Sequence, residues 1–297
     1  MTHESTPPRL PGMLLAAGGA IAFSGKAIIV KLSYQYGVDA VTVIMYRMLF
    51  ALPCFLLLSW WSSRGRPALS SRDWWELAVL GFCGYYLASF LDFLGLQYIG
   101  ANLERLILYQ NPTIVLAISM LVLHMKVGLR QWAALGVSYL GVIVVFAHDI
   151  SISGSHVVLG SLLVLGSAVS YAIYLVFSGN IVKRIGALRV TGIATSLACL
   201  FCIAQFFVLR PPTAMLVADE VIQLALLNAL FCTFLPVLMV MLAVERVGAA
   251  VTAQTGIVGP MSTIFLSAWL LNEPLTLWVA AGTVLVLAGI WLLARWR

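Results

Sequence analysis

The sequence predicts an all-α membrane protein of ten transmembrane helices, arranged as two inverted five-helix repeats. Three observations carry that reading. Of 297 residues, 62% are hydrophobic and only 9% charged, with a mean hydropathy of +1.02; soluble domains carry about a quarter charged residues. The chain divides into about ten apolar runs of crossing length, roughly 20 residues each, and no stretch is left over for a separate soluble domain. The second half also echoes the first at an offset of 148 residues, giving repeats 1–148 and 149–297.

The spans read as 11–36, 39–61, 73–98, 101–124, 129–147, 157–182, 187–209, 220–244, 248–271 and 275–294. The first imitates a secretion signal, since Arg9 precedes an apolar run containing Ala20-Ile21-Ala22. That run continues to about Val30, and Gly12, Leu14, Gly18 and Ala20 match Gly160, Leu162, Gly166 and Ala168. It is therefore expected to be a retained span. The middle spans of the two halves match poorly.

The fourth and ninth spans match best. Gly100 falls on Gly248, Ala101 on Ala249, Pro112 on Pro260, Ser119 on Ser267 and Leu123 on Leu271. A proline inside a span frees a backbone carbonyl that hydrocarbon cannot satisfy, so Pro112 and Pro260 are expected at kinks. Tyr109, Gln110 and Asn111 precede the first proline, and Thr252, Gln254 and Thr255 the second. Two kinked, polar-bearing helices in corresponding halves point to a transport site at the repeat interface. In the fifth and tenth spans Ala133 meets Ala281 and Gly141 meets Gly289.

Five spans is an odd number, so the copies must lie in opposite orientations. With a cytoplasmic N-terminus, Arg9, Arg64, Arg66, Arg72, Lys126, Arg130, Lys183, Arg184, Arg189, Arg246, Arg295 and Arg297 fall inside and only Arg210 outside. Twelve against one places both termini in the cytoplasm and the protein in the inner membrane. The same rule accounts for the net charge of +6, so nucleic acid is not an expected partner; the lipid bilayer and a small-molecule substrate are. The oligomeric state is left open, a monomer included.

All nine tryptophans lie toward span ends, as interfacial anchors do. The five cysteines fall inside apolar runs and read as small packing residues, Cys199-x-x-Cys202 included. Small residues at four-residue spacing (Ala16, Ala20 and Ser24; Gly166 and Ser170) let helices approach closely. There is no HExxH, GxSxG or Walker loop, and His3, His124, His148 and His156 sit at ends or in loops. No enzymatic activity, cofactor or metal site is expected.

Six charges lie within or near spans: Lys26, Lys31, Arg47, Asp92, Glu104 and Arg105. A charge on a crossing helix is costly and faces protein or water, which makes it a functional candidate. Arg47 lies about 12 Å and Lys26 about 15 Å from the outer end of its span at ~1.5 Å per residue. Lys31, Glu104 and Arg105 are shallower and could instead snorkel to the interface; Arg47 and Asp92 could form a structural pair. Tyr46, Tyr86, Phe90, Tyr109, Gln110, Tyr171 and Tyr174 come at comparable depth. Buried tyrosine hydroxyls need a partner or water, so tyrosines on several spans favour a shared wet cavity. The expected site is Lys26, Tyr46, Arg47, Tyr86, Phe90, Asp92, Tyr109, Gln110, Tyr171, Tyr174 and Gln254, with Pro112 and Pro260 as kinks.

With ten spans, a duplicated half, Arg47 in the second span, Glu273 after the ninth and the motifs YQNPTIV and GIVGPMSTIF, the whole chain resembles EamA-type members of the drug/metabolite transporter superfamily. At the place of Glu273 the first half carries Met125, preceded by His124. The resemblance implies export of small metabolites by alternating access, and amino-acid exporters, aromatic ones included, are prominent in that superfamily. The expected cargo is an amino acid with an apolar or aromatic side chain, methionine or threonine. An organophosphate or nucleotide-sugar antiporter and a cationic drug exporter are the alternatives on the same fold.

Overall fold

A computed structural model of the protein describes residues 9–123, 128–153, 156–256 and 258–295. Gln254 and Pro260 lie in described backbone, but their side chains, like His124 and Met125 altogether, fall outside the described residues. Among the described residues every regular element is helical. Eight stretches are long and apolar enough to cross a membrane, and two shorter apolar helices, Met261–Leu270 and Leu277–Leu292, follow.

Helices α1 (Arg9–Tyr34) and α2 (Ala40–Ser63) are joined by a turn in which Gly37 adopts φ +73°. Asp39 then caps α2, accepting from the Val41 and Thr42 amides. The third span is α3 (Ser71–Gly81), a π-helical segment (Phe82–Leu87) and α4 (Ala88–Gly95). Ser70 and Asp73 form a reciprocal capping box at its start. Next come α5 (Ala101–Leu108), α6 (Asn111–Leu123), α7 (Leu129–Ser153), α8 (His156–Ile185) and α9 (Ala187–Leu209). After a short 3-10 turn the chain runs through α10 (Asp219–Ala229), a second π-helical segment (Leu230–Phe234), α11 (Leu235–Thr255), α12 (Val258–Leu270) and α13 (Leu277–Arg295).

The two π segments begin 148 residues apart, at Phe82 and Leu230, in spans whose sequences match poorly. A π turn frees carbonyls from the regular ladder, and in hydrocarbon each needs a donor. Ser170 of α8 donates to the Cys83 carbonyl (2.8 Å), and Thr233 donates to the Asn228 carbonyl five residues behind it (2.8 Å).

The fourth and ninth spans are broken rather than kinked. α5 ends at Leu108 and α6 starts at Asn111; α11 ends at Thr255 and α12 starts at Val258. Pro112 and Pro260 therefore stand in the first turn of a new helix, where a missing N–H removes no bond. A second difference concerns the predicted boundary between the eighth and ninth spans, which lies inside α11. Glu245 and Arg246 are good helix formers, and the chain passes through them without a break.

The helices pack in matching pairs: α1 on α11 and α12, α8 on α4 and α6, α2 on α9, and α7 on α13. The α7–α13 seam is held by small residues. A Cβ on Gly141 would land on the Gly282 carbonyl and the Val286 amide, and one on Gly289 would meet Ser138. Trp60, Trp61, Trp74, Trp75, Trp132, Trp269, Trp278 and Trp291 are all exposed on the outer surface of the bundle, as anchoring residues should be; Trp296 lies outside the described residues. All five cysteines are free, and Cys199, Cys202 and Cys232 are buried.

Candidate functional site

A cavity of about 550 Å³ opens between α1, α2, the first π segment, α4, α5, α6, α8, α9, the second π segment and α11. Along α1 it is lined from Ala16 to Lys26 and no further toward Tyr34. It thus runs from the middle of the bundle toward the end that holds Arg9 and Ser63. Its walls are apolar and aromatic, with Phe23, Phe55, Tyr85, Tyr109 and Tyr171 prominent, while charge gathers at the inner end.

That end is built from four helices. The Lys26 ammonium on α1 lies 2.5 Å from Asp92 Oδ2 on α4 and 3.6 Å from Glu104 Oε1 on α5. Arg47 on α2 donates from Nε to the Thr233 hydroxyl (2.8 Å) and stacks 5.0 Å from the Phe93 ring. Its Nη1 and Asp92 Oδ1 are buried without hydrogen-bond partners. Arg105 donates to the Phe23 carbonyl (2.9 Å) and the Thr263 hydroxyl (3.0 Å), tying α5 to α1 and α12. The second π segment supplies Thr233 and Cys232 to this region, the first supplies Gly84 and Tyr85, and Gly84 is needed because a Cβ there would enter the Tyr174 ring.

The opposite end of the bundle is tied shut. Lys31 donates to the Ile99 carbonyl (2.8 Å), Tyr34 to the Phe93 carbonyl (2.6 Å), and Ser267 to Asn102 (2.8 Å). Glu273, after α12, accepts from the Ala101 amide (2.9 Å) and the Asn102 amide (3.4 Å), so it caps α5. Arg210 pairs with Asp39 at 3.2 Å. Partial burial pushes the Asp39 carboxyl up, but hydrogen bonds from Arg210, Thr42 and the Val41 amide outweigh it and hold it below the usual carboxylate range.

Of the expected site residues, Lys26, Arg47, Asp92, Tyr109 and Tyr171 line the cavity, together with Pro112. Five others do not. Tyr46 turns its hydroxyl to the Met215 carbonyl (2.7 Å). Tyr86 and Phe90 stack on each other in an aromatic cluster with Phe82 and Phe201. Gln110 is wholly buried and bonded to Ser138. Tyr174 is buried against Tyr85 and Tyr171, behind the wall. Lys26 is not an unpaired cation, because Asp92 and Glu104 both face it. Glu104 is not at the interface: its residue is 0% exposed, since α5 is packed among α1, α8 and α12.

Sequence reasoning missed Tyr85, Thr195 and Thr233 as cavity residues. Their π-helical or mid-span settings leave no mark in periodicity, although Gly81 and Gly84 beside Tyr85 hint at close approach.

The EamA-like transporter family matches residues 10–147 and again residues 158–295. The chain belongs to that family. It is thus a multi-pass membrane transporter and a relative of the wider drug/metabolite transporters, a family of carriers rather than of enzymes. The uncharacterized transporter YcbK of Bacillus subtilis (strain 168) is 26% identical over 278 residues, covering 90% of this chain and 87% of that protein. The uncharacterized transporter YetK of the same organism is 24% identical over 290 residues, covering 94% and 86%. An uncharacterized transporter of Archaeoglobus fulgidus is 22% identical over 280 residues, covering 94% and 96%. A solved structure described only as "Crystal structure of protein" shares the fold with a TM-score of 0.64 at 15% identity, over 97% of this chain and 99% of that one.

Proposed function

We propose that the protein is an inner-membrane secondary transporter exporting amino acids, chiefly those with apolar or aromatic side chains, with methionine and threonine in range. Its ten spans form two inverted repeats, 1–148 and 149–297. The matched helix pairs, the two π segments and the two helix breaks support that division. The bias of the basic residues supports a cytoplasmic position for both termini. In that orientation the cavity opens to the cytoplasm and the ties at Lys31, Glu273 and Arg210 close the outer face. This is the loading state of an exporter, and alternating access follows when those ties release.

One observation carries the substrate class: one guanidinium nitrogen and one carboxylate oxygen without partners, Arg47 Nη1 and Asp92 Oδ1, belong to two residues that line the same cavity. A zwitterion answers both, its carboxylate at Arg47 and its ammonium at Asp92. Unpartnered buried polar groups cost about 1–3 kcal/mol each, so an occupant that satisfies both is favoured. The side chain then lies among Phe23, Tyr85, Tyr109 and Tyr171. The test is flux of labelled methionine, phenylalanine and threonine in proteoliposomes. Uptake above empty vesicles for at least one is expected; uptake equal to empty vesicles for all three sinks the amino-acid reading.

A second reading, an organic-cation exporter, is favoured by the two carboxylates around the single Lys26 and by the aromatic wall, which suits cations. Competition by a quaternary amine without a carboxylate would support it. An organophosphate is less suited, because Asp92 and Glu104 offset the positive charge; phosphate-dependent exchange in the same vesicles would reverse that preference.

A further inference from the structure

Two carboxylates share one ammonium at the closed end of the cavity, and they are not equivalent. Asp92 takes the Lys26 contact at 2.5 Å and borders the cavity. Glu104 lies behind it, with a fully buried side chain, 3.6 Å from the same ammonium, and neither of its oxygens accepts a hydrogen bond. Both carboxylates depend on that one ammonium. One ammonium balances one carboxylate, so the three groups together carry a net charge of −1 in an enclosed site unless a proton is held there, and burial of an unbalanced charge favours holding it.

The surroundings leave few other sources of charge. Lys26 faces Glu104 from α1, Asp92 from α4, and Arg105 and Tyr109 lie on its own helix. Arg105 is turned to the Phe23 carbonyl and Thr263. α7, which also packs on α5, brings Arg130 at one end and His148 and Asp149 at the other; residues 157–182 of α8, 258–270 of α12 and 277–294 of α13, which pack there too, contain no Asp, Glu, Lys or Arg. Glu273 at the head of α5 is engaged with the Ala101 amide.

Resting on the export reading above, we propose that Glu104 is the proton-carrying group of the transport cycle, exchanging one proton for each substrate molecule exported. In the outward-facing state Glu104 takes a proton from the outer side. The Lys26–Asp92–Glu104 group then sums to zero, and its hold on the substrate ammonium weakens. In the inward-facing state the proton leaves through Asp92 and the cavity to the cytoplasm. The group then sums to −1 and attracts the next ammonium to Asp92. One proton moves in as one neutral zwitterion moves out, so the cycle carries one positive charge inward and responds to both the pH gradient and the membrane potential. Asp92 serves as the relay, since it is the carboxylate that reaches the cavity.

Three measurements on the full-length protein test this. In proteoliposomes, counterflow of labelled phenylalanine without a gradient reports transport alone. An imposed pH gradient should add accumulation, up to about tenfold per unit at one proton per substrate, because a factor of ten is 1.4 kcal/mol. Glu104→Gln fixes the group at zero, so it should raise the half-saturating phenylalanine concentration for counterflow and lose gradient-driven accumulation, whereas Glu104→Asp should keep the wild-type response in both. Wild-type counterflow with no response to the gradient overturns the proton role and leaves the substrate reading standing. The third measurement needs no substrate: the infrared carbonyl band of a protonated carboxylic acid, followed from acidic to alkaline buffer. A band that titrates away in the wild type and is missing in Glu104→Gln is expected. A band unchanged in Glu104→Gln, or none in the wild type, overturns the proposal even if no amino acid proves to be transported.

Discussion

The Tyr109 hydroxyl donates to the Gly256 carbonyl at 3.3 Å, joining the break in one discontinuous span to the break in the other. Gly259 adjoins the same hydroxyl closely enough that a Cβ would collide with it. The two breaks therefore meet across the cavity wall and are expected to move as one joint. Tyr109→Phe should lower stability by about 1 kcal/mol, the net worth of one hydrogen bond. Thermal unfolding in detergent checks this, with Tyr98→Phe as control, since the Tyr98 ring stacks on His156.

The α7–α13 seam gives a test that is independent of transport. Gly141→Ala would press a methyl group onto the backbone of Gly282 and Val286, whereas nothing lies within 4 Å of a Cβ at Gly136 on the same helix. Overpacking against backbone costs about 1–3 kcal/mol. Gly141→Ala should therefore lower the unfolding temperature, and Gly136→Ala should leave it unchanged or raise it slightly through helix propensity.

Asp39 links two helix ends on one face of the bundle, capping α2 while pairing with Arg210 beyond α9. Its carboxyl is held low in the folded protein, so its contribution is whole above the unfolded value of about 3.9. It is lost as pH falls through the lower folded value. The group is partly exposed, and screening limits the effect to under about 1 kcal/mol. Asp39→Asn keeps the cap and removes the titration. Unfolding temperatures followed down through the acid range should converge for the two proteins, with the wild type ahead only at higher pH.

Thr233 positions Arg47. Its hydroxyl accepts from Arg47 Nε and donates to the carbonyl freed by the π turn. Thr233→Val should leave the guanidinium without that partner and raise KM for export by roughly tenfold, the cost of about 1.4 kcal/mol. Thr233→Ser should retain near-normal KM. A concentration series of labelled phenylalanine uptake separates the two.

The membrane class, the repeat offset and the importance of the two proline-bearing spans were legible because each leaves a mark in composition or register. Hydrophobicity marks a span, and a repeated proline marks a repeated break. The break itself was read as a kink, since sequence does not say whether a proline bends one helix or starts the next. The paired π segments were invisible because their sequences, FCGYYL and LFCTF, share almost nothing; backbone geometry is retained while side chains diverge. Charge placement was half legible. Depth along a span picked out Lys26, Arg47 and Asp92, but which face each presents depends on helix rotation. So Glu104, expected to be shallow, is buried, and Lys26, picked out by depth alone, is shared by two acids. Tyr46, Tyr86, Phe90, Gln110 and Tyr174 had the right depth and the wrong azimuth.

In the proposed site Arg47 and Asp92 together hold a zwitterion. Scintillation-proximity binding of labelled phenylalanine, with phenethylamine and hydrocinnamate as competitors, is the test. The first lacks the carboxylate and the second the ammonium. Unlabelled phenylalanine should displace the label, neither analogue should compete at comparable concentration, and Arg47→Gln should abolish binding. Displacement by phenethylamine as effective as by phenylalanine, with binding retained in Arg47→Gln, would contradict it.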